Sequence, residues 1–181
     1  MSAVQEILVF LIDTLFNLYV SFLVIRMLLG FAKADFYNPI SQFLVKITDP
    51  VIKPLRRFIP AIGKIDTATV VAIIGLKIIE YFLLSAVTGG NYPSDFIAFV
   101  IGDLLRMVVW IYIIAIIIQV IISWLGNTHG NPVVPLINSL TEPLIKPVRK
   151  IIPPIAMIDL SPMVVLILLQ VALILIRSFG F

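Results

Sequence analysis

Residues 38–66 read NPISQFLVKITDPVIKPLRRFIPAIGKID, and residues 131–159 read NPVVPLINSLTEPLIKPVRKIIPPIAMID. The second stretch lies 93 positions after the first and aligns with it without a gap, identical at 13 of 29 positions. The identities are Asn38/Asn131, Pro39/Pro132, Thr48/Thr141, Pro50/Pro143, Ile52/Ile145, Lys53/Lys146, Pro54/Pro147, Arg56/Arg149, Ile59/Ile152, Pro60/Pro153, Ile62/Ile155, Ile65/Ile158 and Asp66/Asp159. Asp49/Glu142 and Arg57/Lys150 keep their charge. The pattern is N-P-x8-T-[DE]-P-x-I-K-P-x-R-[RK]-x-I-P-x4-I-D. A gapless match with four prolines in register marks an internal duplication.

The flanks of both copies are apolar. Hydrophobic residues make up 61% of the chain and charged residues 13%, with a mean hydropathy of +1.14. A soluble domain carries about 25% charged residues, so this composition belongs in a lipid bilayer. Four runs, residues 3–30, 67–87, 96–125 and 160–176, read as transmembrane helices, and the first is long enough to cross about 30 Å of hydrocarbon at about 1.5 Å per residue with some to spare. The third is longer than the bilayer needs, which predicts tilt or protrusion. The first run lacks the basic start, short apolar core and small-residue cleavage site of a secretory signal. Gly89 and Gly90 stop the second run, and the loop over 89–95 is short. The fold class expected is an all-α membrane protein: four transmembrane helices in two tandem parallel repeats, 3–88 and 96–179, within one membrane domain. A pseudo-twofold axis along the membrane normal follows from that arrangement.

Between the spans of each repeat, the duplicated motif predicts a short amphipathic, proline-bounded helical loop in the interface. Asn38 and Asn131 are expected to cap it, with Pro39 and Pro132 at the first helical position. Ile40, Phe43, Leu44 and Ile47 form one apolar face, as do Val133, Leu136, Ile137 and Leu140. Pro50 and Pro143 are expected to restart the pattern. Val51, Ile52, Leu55, Phe58 and Ile59 then oppose Lys53, Arg56 and Arg57; Leu144, Ile145, Val148, Ile151 and Ile152 oppose Lys146, Arg149 and Lys150. Pro54 and Pro147 lack the N–H of a regular helix, so a bend is expected there, and Pro60 and Pro153 end each segment. Asp66 and Asp159 read as N-caps of the following spans.

The basic residues set an orientation. Lys33, Lys46, Lys53, Arg56, Arg57, Lys64, Lys146, Arg149 and Lys150 fall in the two motif loops, against Arg177 near the C-terminus. The positive-inside rule puts both loops in the cytoplasm and both termini outside. Three cations per loop attract anionic headgroups at about 1 kcal/mol each. The basic faces therefore point to membrane lipids, or to a protein partner in the membrane or cytoplasm, with a second copy of the chain as another candidate. Nucleic acid is disfavoured, because no aromatic residues interleave with these charges.

Catalytic chemistry has little to work with. There is no cysteine, and His129 is the single histidine, with no second imidazole to share a metal. Ser123 lies six residues before it, without the partners of a nucleophile site. No glycine-rich phosphate loop or metal-ligand spacing occurs. The expectation is a protein that is not an enzyme and holds no cofactor or metal. Charges inside the spans stand out instead: Asp13, Lys77, Glu80, Asp103 and Arg106. An ionised group costs about 2.5–3.5 kcal/mol at mid-membrane on insertion scales, so these are expected to face inward and pair. Lys77/Glu80 and Asp103/Arg106 are spaced i, i+3. Asp13, Asn17 and Ser21 make one polar stripe on the first span. A structural ion-pair cluster joining the first three spans, a polar path for an ion, and a docking face for a partner span are the competing readings. The counterparts of Lys77 and Glu80 in the second repeat are Gln170 and Leu173, which weighs against a symmetric path.

The N-P, T-[DE]-P, K-P-x-R-[RK] and I-D elements together resemble the YggT family of integral membrane proteins, called YlmG in Gram-positive bacteria and plastids. The resemblance covers both repeats and their flanking spans. It implies a membrane topology in the bacterial inner membrane and a link to cell division and to organelle or nucleoid organisation, with no established chemistry. A non-enzymatic scaffold or assembly factor is the function expected. The alternative is a small transport or ion-homeostasis protein using the intramembrane charges.

Overall fold

The computed structural model describes residues 2–62, 66–90, 96–126, 130–153 and 159–178. Lys64, Ile65, His129, Ile155, Ile158 and the loop residues 91–95 lie outside the described residues. Six helices follow in order: α1 (Ala3–Phe31), α2 (Pro39–Arg56), α3 (Thr67–Thr88), α4 (Phe96–Leu125), α5 (Val133–Ile151) and α6 (Ser161–Ser178). The sequence span, amphipathic helix, span thus occurs twice. In hydrocarbon every backbone N–H and C=O must be satisfied within the chain, and a helix does this inside one segment. Four of the helices, α1, α3, α4 and α6, are long and apolar enough to cross a membrane. Only 17–22% of the residues in each span's apolar window are buried within the chain, so most of the apolar surface is left for lipid. The protein is a multi-pass membrane protein of the all-α class with two tandem repeats.

The amphipathic helices differ from the expectation in one respect. Each is continuous: α2 runs through Pro50 and Pro54, and α5 through Pro143 and Pro147. A proline inside a helix removes one i to i−4 hydrogen bond and crowds the carbonyl a turn back, at a cost of about 3 kcal/mol. The restart at Pro50 and Pro143 does not occur, so burial of the stripe on the helix outweighs that penalty. In α2 the stripe is Ser41, Leu44, Thr48 and Ile52, all buried. In α5 it is Leu136, Leu140, Thr141 and Ile145. Phe43 and Phe58, expected on the apolar faces before and after Pro50, are exposed. Each helix ends before Pro60 or Pro153, whose rings disfavour helical geometry in the residue ahead of them.

Two compact units divide the chain. The first comprises Met1–Met27 and Phe43–Ile101. Within it, the Tyr19 hydroxyl donates to the Ile47 carbonyl and Phe22 meets Phe43 edge-on, which joins α1 to α2. Tyr81 of α3 packs on Phe96 and Phe99 of the first turn of α4. Gly89 caps α3 in the left-handed region at φ 68°, its N–H donating to the Ser85 carbonyl, a turn that glycine adopts without a Cβ penalty.

The second unit comprises Leu28–Gln42 and Gly102–Phe181. Its core is Ile116 of α4, Ile145 of α5 and Val165 of α6, with Leu144, Val148, Leu166 and Leu169 against them. Asn38 also belongs here, and its side-chain amide donates to the Pro132 carbonyl at 2.7 Å. The two N-P dipeptides are therefore in direct contact, and Asn38 is buried while Asn131 is exposed.

Candidate functional site

Asn38 caps α2 as expected, but α5 begins at Val133 with Pro132 at its N-cap, so Asn131 stands one residue outside the cap position. Asn38 Oδ1 accepts the Ile40 N–H at 2.9 Å, and Asn131 Oδ1 accepts the Val133 N–H at 2.9 Å. The proline that follows has no N–H to satisfy, which is why it is tolerated at the start of the helix. Further along, Thr48 and Thr141 are fully buried, and each hydroxyl donates to the carbonyl one turn back, Leu44 or Ile137.

The motif's arginine and final aspartate find each other in both repeats. Arg56 Nη2 pairs with Asp66, and Arg149 Nη2 pairs with Asp159 at 2.8 Å. The residues are ten apart and sit on either side of the motif's last proline. The pair ties the end of the amphipathic helix to the start of the next span. Burial pushes the carboxyls of both Asp66 and Asp159 up, but hydrogen bonds outweigh it and hold them below the usual range. For Asp66 these come from Arg56 and Thr69; for Asp159, from Ser161 and Arg149. Asp66 stands at the N-cap position of α3 as expected, but its carboxylate is used differently. Asp66 makes no side-chain cap hydrogen bond, its oxygens going to Arg56 and the Thr69 hydroxyl. Asp159 does accept a backbone N–H, from Ser161 at 2.9 Å.

A residue of the spans outside the expected charge cluster completes the first site. Arg26 of α1 is 8% exposed and donates to Thr48 Oγ1 at 2.6 Å and Asp49 Oδ1 at 2.9 Å. Lys53 closes on the other Asp49 oxygen at 2.9 Å. Burial pushes the Asp49 carboxyl up, and the hydrogen bonds from Lys53 and Arg26 reverse the shift and hold it low. Sequence reading passed over Arg26 because a cation near the end of a run looks like a boundary. Its spacing from the motif carried the signal, since Arg26 aligns with Gln119 under the 93-residue shift.

The second repeat is built differently at that position. Gln119 Nε2 donates to Asn138 at 3.2 Å, while Gln119 Oε1 is buried with no hydrogen-bond partner among the described residues. Glu142, the counterpart of Asp49, turns to Arg149 at 3.4 Å. A cavity of about 420 Å³ opens at Gln119, lined also by Val120, Ser123, Trp124, Arg149, Asp159 and Pro162.

The basic faces are only partly available. Lys53, Arg56 and Arg149 are in ion pairs, although Lys53 is largely exposed. Arg57, Lys146 and Lys150 are exposed, and no ion pair engages them among the described residues. Of the intramembrane charges, Lys77 and Glu80 are buried and paired at 2.9 Å. Asn17 of α1 bridges to both, accepting from Lys77 at 2.6 Å and donating to Glu80 at 3.1 Å. Asp13 is exposed rather than buried, and meets the Asn17 amide at 3.0 Å. Asp103 and Arg106 pair at 3.2 Å in the second unit and are about one-third exposed. No cluster of metal-ligating residues occurs among the described residues.

Comparison with known proteins agrees with the duplication. A family model described as CCB3/YggT matches this chain twice, over residues 5–87 and 98–179. The uncharacterized protein in the proC 3′ region of Vibrio alginolyticus is 40% identical over 166 residues, covering 90% of this chain and 89% of that one. The uncharacterized protein YggT of Escherichia coli K12 is 37% identical over 164 residues, covering 91% and 86% respectively. The uncharacterized protein ycf19 of Guillardia theta is 36% identical over 72 residues, 39% of this chain but 78% of its own length, which matches the size of a single repeat. No solved structure matches this chain.

Proposed function

This chain belongs to the CCB3/YggT family, and we propose that it acts as a non-enzymatic membrane scaffold or assembly factor, serving cell division or the organisation of a membrane complex. The observation that carries the reading is the use made of the motif. In both copies the arginine and aspartate are engaged with each other, so among the described residues the motif's shared charges serve to fix a helix to a span. What is presented outward is apolar span surface together with Arg57, Lys146 and Lys150, a surface suited to anionic lipid and a protein partner. Both motif loops face the cytoplasm of the bacterial inner membrane in this reading, supported by the distribution of Lys and Arg. Reporter fusions after residues 65 and 157 are expected to read as cytoplasmic and a fusion after residue 90 as external. A periplasmic signal from either of the first two removes that orientation.

The direct test places a photo-crosslinking residue at Tyr37, which is 91% exposed. A discrete heteromeric adduct in cells supports the scaffold; adducts with lipid alone overturn it. Transport is the second reading, favoured by the buried Lys77–Glu80 pair and its Asn17 bridge inside the spans. Proteoliposomes separate the two. No ion flux is expected from the native protein, and flux abolished by Asp103→Leu with Arg106→Leu contradicts the scaffold.

A further inference from the structure

We propose that the cavity lined by Gln119, the counterpart of Arg26 in the second repeat, binds a primary ammonium group supplied by a phospholipid headgroup. The argument begins with the two aligned positions. Arg26 brings a guanidinium to a buried threonine hydroxyl and the carboxylate beside it. In the second repeat the threonine and the carboxylate persist as Thr141 and Glu142, but Gln119 stands where the cation was. That repeat is one positive charge short at this position.

The deficit is matched by an unfilled volume. The cavity of about 420 Å³ lies within the range of about 300–1,000 Å³ typical of small-ligand sites. Gln119 lines it, and its Oε1 is a buried acceptor without a donor among the described residues, a state that is unfavourable until a donor arrives. Ser161, fully buried and next in the chain to the lining residue Pro162, carries a hydroxyl oxygen that also has no partner among the described residues. A primary ammonium has three N–H donors and no acceptor, the complement of these oxygens. Trp124 also lines the cavity, and its ring face attracts a cation.

Depth favours lipid over solute as the source. Trp124 is 83% exposed on the last turn of α4, the position at which span tryptophans settle among headgroups. Arg149 and Asp159 stand at the junction of the amphipathic helix and α6, so the cavity lies where a headgroup can enter.

The test is a thermal-shift titration of the full chain in mild detergent with dihexanoyl phosphatidylethanolamine, dihexanoyl phosphatidylcholine or free ethanolamine. Phosphatidylethanolamine is expected to give a saturable rise in Tm, and phosphatidylcholine, which has no N–H on its ammonium, a much smaller one. A rise with free ethanolamine at comparable concentration supports the ammonium chemistry and moves its source to a solute. Gln119→Arg, which restores the cation of the first repeat, is expected to abolish the response. Gln119→Leu, which removes the acceptor without adding charge, is expected to weaken it and covers the case in which the arginine variant does not fold. Equal shifts with both lipids, or an undiminished response in the variants that fold, overturn the proposal.

Discussion

Thr48 and Thr141 occupy the same position in two copies of one motif, both fully buried and both bonded to the carbonyl one turn back, yet only Thr48 meets a guanidinium. Three features are shared between the repeats: an asparagine that accepts the N–H two residues on, the prolines within the helix, and the arginine–aspartate pair. What differs is the residue that a neighbouring span brings to the motif. Arg26 fills the first copy from α1, whereas Gln119 leaves a cavity in the second from α4. The motif is therefore a frame, and specialisation lies in the side chain facing it.

The sharpest way to break this comparison is to remove that side chain. Losing one member of a buried charged pair costs about 3–5 kcal/mol, because the other is left in low dielectric. Arg26→Leu is expected near the lower end of that range, since Lys53 still reaches Asp49 from the solvent side. Arg26→Leu with Asp49→Leu is expected to recover much of the loss. Gln119→Leu, at the equivalent position, is expected to cost less than about 1 kcal/mol, because it removes one hydrogen bond and an unsatisfied acceptor together. Unfolding titrations of the purified protein in mixed micelles compare the four directly. Equal losses for Arg26→Leu and Gln119→Leu contradict the asymmetry.

A smaller effect sharpens the same contrast. Thr→Val keeps the shape of the side chain and deletes the hydroxyl. At Thr141 this removes only the bond to the Ile137 carbonyl, so a loss of about 0.5–1 kcal/mol is expected. At Thr48 it also deprives Arg26 of an acceptor, and a charge-assisted bond adds about 1.5–3 kcal/mol. The difference between the two variants measures the contribution of Arg26 to the frame without disturbing any charge.

Much of the architecture was legible from the chain alone, for a physical reason. Bilayer thickness and the run of apolar residues leave little freedom, so the third span was read as 96–125 and α4 is Phe96–Leu125. The continuity of α2 and α5 through their internal prolines was not legible, because the local penalty is visible in sequence and the burial that offsets it is not. Partners across a turn were equally hidden. Arg56 and Asp66 were read as a lipid-facing cation and a cap, and nothing in a ten-residue spacing across Pro60 says that they meet. The intramembrane charges show the limit most clearly. The i, i+3 pairs were visible, while the bridge between Lys77, Glu80 and α1 comes from Asn17, a neutral residue noted only as part of a polar stripe.

The smallest expected effect concerns the arginine–aspartate pairs and depends on pH. In the folded protein the carboxyls of Asp66 and Asp159 are held below their usual value, whereas in the unfolded chain they titrate near about 3.9. A lowered folded-state pKa gives stability that is present above the unfolded value and is lost as pH falls through the folded one. At neutral pH, Asp66→Asn and Asp159→Asn are therefore expected to be less stable than the native protein. Both arginines are more than a third exposed, so solvent screening reduces each loss to about 1 kcal/mol or less. The gap is expected to narrow as pH falls from about 5 toward 3, where the carboxyls of the unfolded chain take up protons before those of the folded one. Thermal unfolding of native and variant proteins across that window checks the sign. The two sites also differ in a testable way: Asp159 receives a backbone N–H from Ser161 at 2.9 Å, while the close hydrogen bonds to Asp66 come from the Arg56 and Thr69 side chains. An asparagine at 159 can still accept that backbone bond through its amide oxygen, so Asp159→Asn is expected to lose less than Asp66→Asn. A loss at either site that is the same at pH 3 as at pH 7 shows that its contribution is not ionic, and the repeated pair is then a matter of packing.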